Sequence, residues 1–215
     1  MSMKLVIFDM DGTIVSTAES YMYSMNQVLK QEGLPVHDLE SYIKWMGGGF
    51  RNLTMKAIPE SKRNEKYIDE LTQRMDDVYG QHWDYHLKAY DGIYHLMDAL
   101  VERGILLAIN TNKMDDKAKK IIEELFYNYD FVDIIGKRAD IPNKPDPFAA
   151  RLIMKKAKVT PKETMYVGDS QYDVETAINA GAIPVAVKWG YRDESVLQKA
   201  KYLLNHPMEL LEYIG

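Results

Sequence analysis

Cysteine is absent from this chain, which removes disulfides, zinc–thiolate centres and thiol catalysis at once and is compatible with a reducing compartment. Strong charge of either sign is also missing. The net charge is -5 over 215 residues with no polybasic block, so the electrostatic footprint of a nucleic-acid binder is lacking and no nucleic-acid partner is expected. No apolar run is long enough to cross a bilayer. The stretch from Lys4 to Phe8 is short and runs straight into aspartates, too short for a signal peptide or a span, which predicts a cytoplasmic protein with no membrane partner. His37, His82, His86, His95 and His206 fall at no spacing typical of a metal site. Internal repeats and low-complexity tracts are lacking too.

What is present is ordinary in bulk. Apolar residues make up 46% and charged residues 27%, as in soluble globular proteins, and the length suits one sizeable core with an inserted subdomain. Leu5-Val6-Ile7-Phe8 is unbroken rather than alternating, the pattern of a strand buried on both faces of a parallel sheet. Similar runs at 105–109, 131–135, 165–167 and 183–187 are bounded by Gly, Pro, Asn or Asp. Helical patterns at 92–102, 117–125, 147–156 and 173–179 alternate with them. This alternation predicts an α/β fold, a doubly wound, Rossmann-like parallel sheet with helices on both faces. Residues 16–87 break the pattern with helical stretches at 19–31, 39–44, 53–57 and 64–85. The expected division is therefore a core of 1–15 and 88–215, with a helical insertion at 16–87.

Chemistry concentrates where the predicted strands end. Asp9 and Asp11 stand two apart just past the first strand, the end at which α/β proteins form ligand sites. Two close carboxylates repel, and a bound cation or a shared proton relieves them. A turn after a strand is the plainer reading of Asp-x-Asp-Gly, and it loses ground because three later strand ends carry matching chemistry. Thr111 and Asn112 place a hydroxyl and an amide after the second core strand, a helix N-cap being their alternative. Lys144 lies in Asn143-Lys144-Pro145-Asp146-Pro147, where prolines hold it as a fixed positive charge. Asp169 and Asp173 follow the strand at 165–167. Cap and first-turn roles compete for Asp173, whereas Asp169 together with the first pair suits Mg²⁺, which takes hard oxygen ligands.

These four elements, in this order, resemble the haloacid dehalogenase superfamily of phosphatases over essentially the whole chain. Trp45-Met46-Gly47-Gly48-Gly49-Phe50-Arg51, Tyr90-Asp91-Gly92-Ile93 and Lys188-Trp189-Gly190-Tyr191 resemble phosphoglycolate phosphatase and its relatives, whose small helical cap the insertion matches. The resemblance implies Asp9 as nucleophile, Asp11 as general acid and base, and Thr111 and Lys144 as phosphate ligands. It implies a Mg²⁺ site from Asp9, Asp11, Asp169 and Asp173, with Asp11 acting through its backbone carbonyl and Asp173 indirectly or through water. Asn112 joins the expected substrate-binding set, with Gly47, Gly49 and Arg51 from the insertion; a turn and a solvated helix face are the plainer readings of those three. Tyr21, Met22 and Met25 are read as packing within the insertion. One departure stands out: Ser16 occupies a position where relatives commonly carry aspartate, and serine there can cap the following helix.

The implied reaction is hydrolysis of a small phosphorylated metabolite through an aspartyl-phosphate, with the cap closing over the site. Phosphoglycolate, sugar phosphates, nucleotides and pyrophosphate all stay open as substrates. Two other readings compete: a phosphomutase using the same aspartates to pass the phosphoryl group to a sugar hydroxyl, and a non-catalytic sensor of phosphate ligands.

Overall fold

The computed structural model describes residues 2–215. The chain begins with β1 (Leu5–Phe8) and β2 (Val15–Ser16), then passes through α1 (Ala18–Gln31), α2 (Leu39–Trp45), α3 (Gly49–Ala57) and α4 (Glu65–His82) to β3 (Lys88–Ala89). It continues through α5 (Ile93–Glu102), β4 (Leu106–Met114), α6 (Asp115–Leu125), β5 (Phe131–Lys137) and α7 (Phe148–Ala157). The last elements are β6 (Thr164–Gly168), α8 (Gln171–Ala180), β7 (Ile183–Val187) and β8 (Tyr202–Leu204). Two compact units result: Ser16–Lys88, and the residues up to Val15 together with Ala89–Gly215.

In the α/β unit, six parallel strands pair in the order β5-β4-β1-β6-β7-β8. Every residue of β1 is buried, as the unbroken apolar run requires. Leu5 and Ile7 pack with Ala108, Tyr166, Ile153 of α7 and Ala177 of α8. Val6 and Phe8 alternate to the other face and are as deeply buried, so both faces of the sheet are covered. The strand order places the site. From β1 the chain moves outward to β4 and β5, then returns to β6 on the other side of β1 and moves outward again. The connections therefore diverge between β1 and β6, and a crevice opens beyond the carboxyl ends of those two strands. β8, which sequence patterning does not reveal, is a three-residue edge strand, too short to show a period.

The helical unit packs α1 against α2 and α4, and α3 against α2 and α4. Asp38 and Asn64 cap α2 and α4 by accepting from the Ser41 and Tyr67 amides. Its interior holds Met25, Tyr42, Leu53, Leu71, Met75 and Tyr79, while Tyr21 meets Phe50 and Tyr79 edge to face. Ser16 lies in a strand and does not cap α1, whose N-cap is Thr17. No helix among the described residues is long and apolar enough to cross a membrane.

Candidate active site

Asp9 follows β1 directly, and its amide extends the pairing with β6 by donating to the Val167 carbonyl at 2.8 Å. Asp169 follows β6, and Asp173 sits in the first turn of α8. Adjacent parallel strands thus bring Asp9 and Asp169 to the same crevice, and the helix that leaves β6 brings Asp173. One oxygen from each of these buried residues lies within 4.8 Å of the others, a group able to hold a metal ion.

Lys144 is the counter-charge. Its Nζ donates to Asp173 Oδ1 at 2.6 Å and lies 2.7 Å from Asp9 Oδ1. The second contact is an ion pair without hydrogen-bond geometry, so Asp9 Oδ1 is buried yet receives no hydrogen bond among the described residues. Asp173 accepts at its other oxygen from the Ser170 amide at 3.0 Å and from Ser170 Oγ at 2.6 Å. It therefore serves as helix cap and lysine anchor together, with hydrogen bonds at both oxygens.

Three buried carboxylates against one ammonium leave an excess of negative charge. Burial, and then the charge of Asp173, push the Asp9 carboxyl up to about 7 against the pull of Lys144. Asp169 is raised well above the aspartate range by burial and by the charges of Asp173 and Asp9. Burial alone would lower Lys144, but the Asp173 and Asp9 charges outweigh it and hold the ammonium protonated. A hard divalent cation suits this donor set: it would neutralise the excess and satisfy Asp9 Oδ1.

The sheet also corrects the expected surroundings of Thr111. The strand does not stop at Ile109: β4 runs to Met114, and Met114 rather than Thr111 or Asn112 is the N-cap of α6. β5 explains the extension by pairing Asn110 with Ile135 and Met114 with Lys137. Gly136 permits this closeness, since a Cβ there would stand 2.5 Å from the Asp115 Cα. Alternation along the longer strand buries Thr111 and Lys113 and turns Asn112 outward. Thr111 Oγ1 accepts from the Lys113 amide at 3.3 Å, which leaves its proton free to be donated. Asn112, of the expected substrate-binding set, spans the Lys144 backbone with its amide, accepting from the lysine N–H at 2.9 Å and donating to the lysine carbonyl at 3.3 Å. The lysine is thus held by Asn112 as well as by its prolines.

Asp11 stands apart from the acidic group. Its carboxylate faces Lys113, whose Nζ lies 3.3 Å from Oδ1; the Asp11 side chain is not among the three that could share an ion. Sequence reasoning passed over Lys113, although its two-residue spacing from Thr111 in an extended strand would have placed it on the same side.

The loop after β7 acts on the site too. The Tyr191 amide donates to Asp169 Oδ2 at 2.7 Å, and Trp189 Nε1 donates to the Thr13 carbonyl at 2.9 Å. Gly190 passes so close that a Cβ there would lie 2.3 Å from the Asp169 Cβ and 2.5 Å from the Gly12 carbonyl oxygen.

Gly47, Gly49 and Arg51 belong to the helical unit. Gly47 and Gly49 have φ of 92° and 76° around the turn between α2 and α3. Arg51 is exposed and paired with Glu65 and Asp69 of α4, so its charge is already matched within that unit.

The family model described as haloacid dehalogenase-like hydrolase matches residues 6–187. A phosphoglycolate phosphatase of Pseudomonas savastanoi pv. phaseolicola is 31% identical over 192 residues, covering 87% of this chain and 70% of that protein. The N-acetylmuramic acid 6-phosphate phosphatase of Pseudomonas aeruginosa is 28% identical, covering 100% of this chain and 96% of that protein. Among crystal structures, an inferred phosphoglycolate phosphatase of Lactobacillus delbrueckii subsp. bulgaricus superposes with a TM-score of 0.90 at 27% identity, covering 100% of this chain and 99% of that one. With a family match over most of its length and a strand-end site of the kind just described, the chain belongs to the haloacid dehalogenase-like hydrolases, as a phosphoglycolate phosphatase-like member.

Proposed function

We propose that this chain is a cytoplasmic, Mg²⁺-dependent phosphatase that hydrolyses a small phosphorylated metabolite, with Asp9 as nucleophile. The observation that carries the proposal is Asp9 itself, a buried carboxylate with one oxygen free of hydrogen bonds, beside a buried ammonium.

An Asp9 oxygen attacks phosphorus in line, the bond from phosphorus to the ester oxygen breaks, and Asp11 gives that oxygen its proton. Water then attacks the aspartyl-phosphate, losing its proton to Asp11, and Asp9 is released with inorganic phosphate. Dividing the displacement in this way is the usual gain of covalent catalysis, and each positioned proton transfer contributes about 10²–10⁴-fold. Lys144 and the Thr111 hydroxyl bind the phosphoryl oxygens as charge shifts onto them. Asp9, Asp169 and the Asp11 carbonyl would hold the Mg²⁺, which would supply further positive charge to the phosphoryl group. The helical unit, 16–87, is read as a cap that selects the substrate, with Gly47 and Gly49 as its candidate contacts.

The two relatives' substrates are both phosphate monoesters, so a panel holding phosphoglycolate, N-acetylmuramic acid 6-phosphate, other sugar phosphates and nucleotides, with Mg²⁺, is the direct assay. The expected product is free phosphate; an isomerised sugar phosphate would instead identify a mutase. Asp9→Asn is expected to lower turnover by about a thousandfold or more, and an undiminished rate would refute the assignment.

A further inference from the structure

Lys113 has no part in the reaction as written, yet it is placed with care. Extension of β4 turns it inward, and its side chain is only 2% exposed. Lysine ordinarily keeps its ammonium in water, and burying one is costly unless a carboxylate meets it. Here Nζ straddles Asp11, 3.3 Å from Oδ1 and 3.4 Å from Oδ2. The two ends of this contact differ in burial. Lys113 stands between the Asn110–Ile135 and Met114–Lys137 pairs, where the register of β4 with β5 shifts, and its amide is tied to Thr111 Oγ1. Asp11 lies in the turn after β1, with a side chain 19% exposed. A buried strand residue thus reaches across to a carboxylate on a turn, an arrangement by which a scaffold can orient a reacting group.

We infer that Lys113 is the positioning residue for Asp11: by bridging both carboxylate oxygens, the buried ammonium fixes the rotamer in which this acid meets the leaving-group oxygen. The inference rests on Asp11 being the acid–base residue of the proposed phosphatase reaction. Without the bridge, Asp11 keeps its chemistry and loses its orientation, and a displacement of about 1 Å at a reacting group can cost on the order of 10²-fold. The loss falls on esters that need a proton to leave.

The test compares kcat/KM for phosphoglycolate, an alkyl ester with a poor leaving group, with that for 2,4-dinitrophenyl phosphate, whose leaving group departs unprotonated, at saturating Mg²⁺. Lys113→Met is expected to lower the phosphoglycolate value by ~10- to 100-fold, while the dinitrophenyl value stays within about threefold of wild type. Lys113→Gln is measured in the same way, so that a Met variant unable to fold still leaves a result. Lys113→Arg, which keeps the charge, is expected to recover most of the discrimination between the two esters. An equal fall for both esters, as loss of a phosphate ligand or of the fold would give, overturns the inference, and so does no change for either. Asp11→Asn is run beside them. Selective loss there without selective loss at position 113 rejects the role of Lys113 alone, whereas an unselective Asp11→Asn rejects the acid assignment and the inference with it.

Discussion

At the scale of single residues, the site depends on contacts that leave no room for adjustment. Asp169 has one oxygen committed to the Tyr191 amide, which orients the carboxylate, and Gly190 is the residue that lets the loop come close enough to do so. Backbone and Asp169 atoms would both lie under 3.0 Å from an added Cβ. Gly190→Ala must therefore displace the loop or rotate Asp169. Groups that orient a metal ligand from behind typically matter by about 10- to 100-fold in metal affinity. A fall of that size is expected in the Mg²⁺ affinity of Gly190→Ala, measured by calorimetric titration without substrate; an unchanged affinity would show that the loop does not orient Asp169. Position 190 was visible in the sequence only as part of a resemblance. Nothing in Trp-Gly-Tyr by itself points to a carboxylate at 169.

At the scale of elements, β4 shows how pairing overrides local pattern. The apolar run ends at Ile109, and Asn110-Thr111-Asn112-Lys113 carries the polar residues of a turn or a helix cap. β5 nevertheless pairs with it as far as Met114, since backbone groups at the edge of a sheet gain more from the ladder than from ending early. The extension turns Thr111 and Lys113 inward and aims Asn112 at the Lys144 backbone. Asn112→Ala removes two hydrogen bonds worth about 0.5–1.5 kcal/mol each. A protein of this size loses roughly 2–4 °C in Tm per kcal/mol, so a drop of about 2–12 °C is expected by thermal denaturation. A raised KM for the phosphorylated substrate should accompany it as Lys144 loosens. An unchanged KM would mean that the prolines alone hold the lysine.

For the whole molecule, the uncompensated acidic group sets a pH dependence. The Asp9 carboxyl sits at about 7 in the folded protein, and Asp169 is raised as well; unfolded, both return to about 3.9. Between those values the folded state binds more protons than the unfolded state. The stability Asp9 contributes is therefore complete below pH ~4 and is lost as pH rises through ~7 in the metal-free protein, and Asp169 acts in the same direction. Mg²⁺ held there would bind the deprotonated carboxylates, so its stabilisation would grow over the same interval. At a hundredfold excess over Kd it amounts to about 2.7 kcal/mol. Thermal scans from pH 5 to 8 should show a falling metal-free Tm and a widening increment with Mg²⁺, both flattened in Asp9→Asn. An increment independent of pH would contradict this account.

The sequence by itself determined the α/β class, through short unbroken apolar runs alternating with amphipathic helices, and the chain positions at which polar chemistry follows a strand. These are local properties: burial on both sheet faces demands unbroken apolar strands, and the turn after a strand demands polar residues. Tertiary structure alone decided which of those polar groups meet. Lys144 and Asp173 are 29 positions apart, Asn112 and Lys144 are 32, and Lys113 and Asp11 are 102. Each pairing follows from strand order and register, which bring distant segments within a few ångströms and turn one side chain inward and its neighbour out. A local pattern can say that a lysine or an asparagine stands near a strand end, but its partner is chosen by the strand that lies alongside.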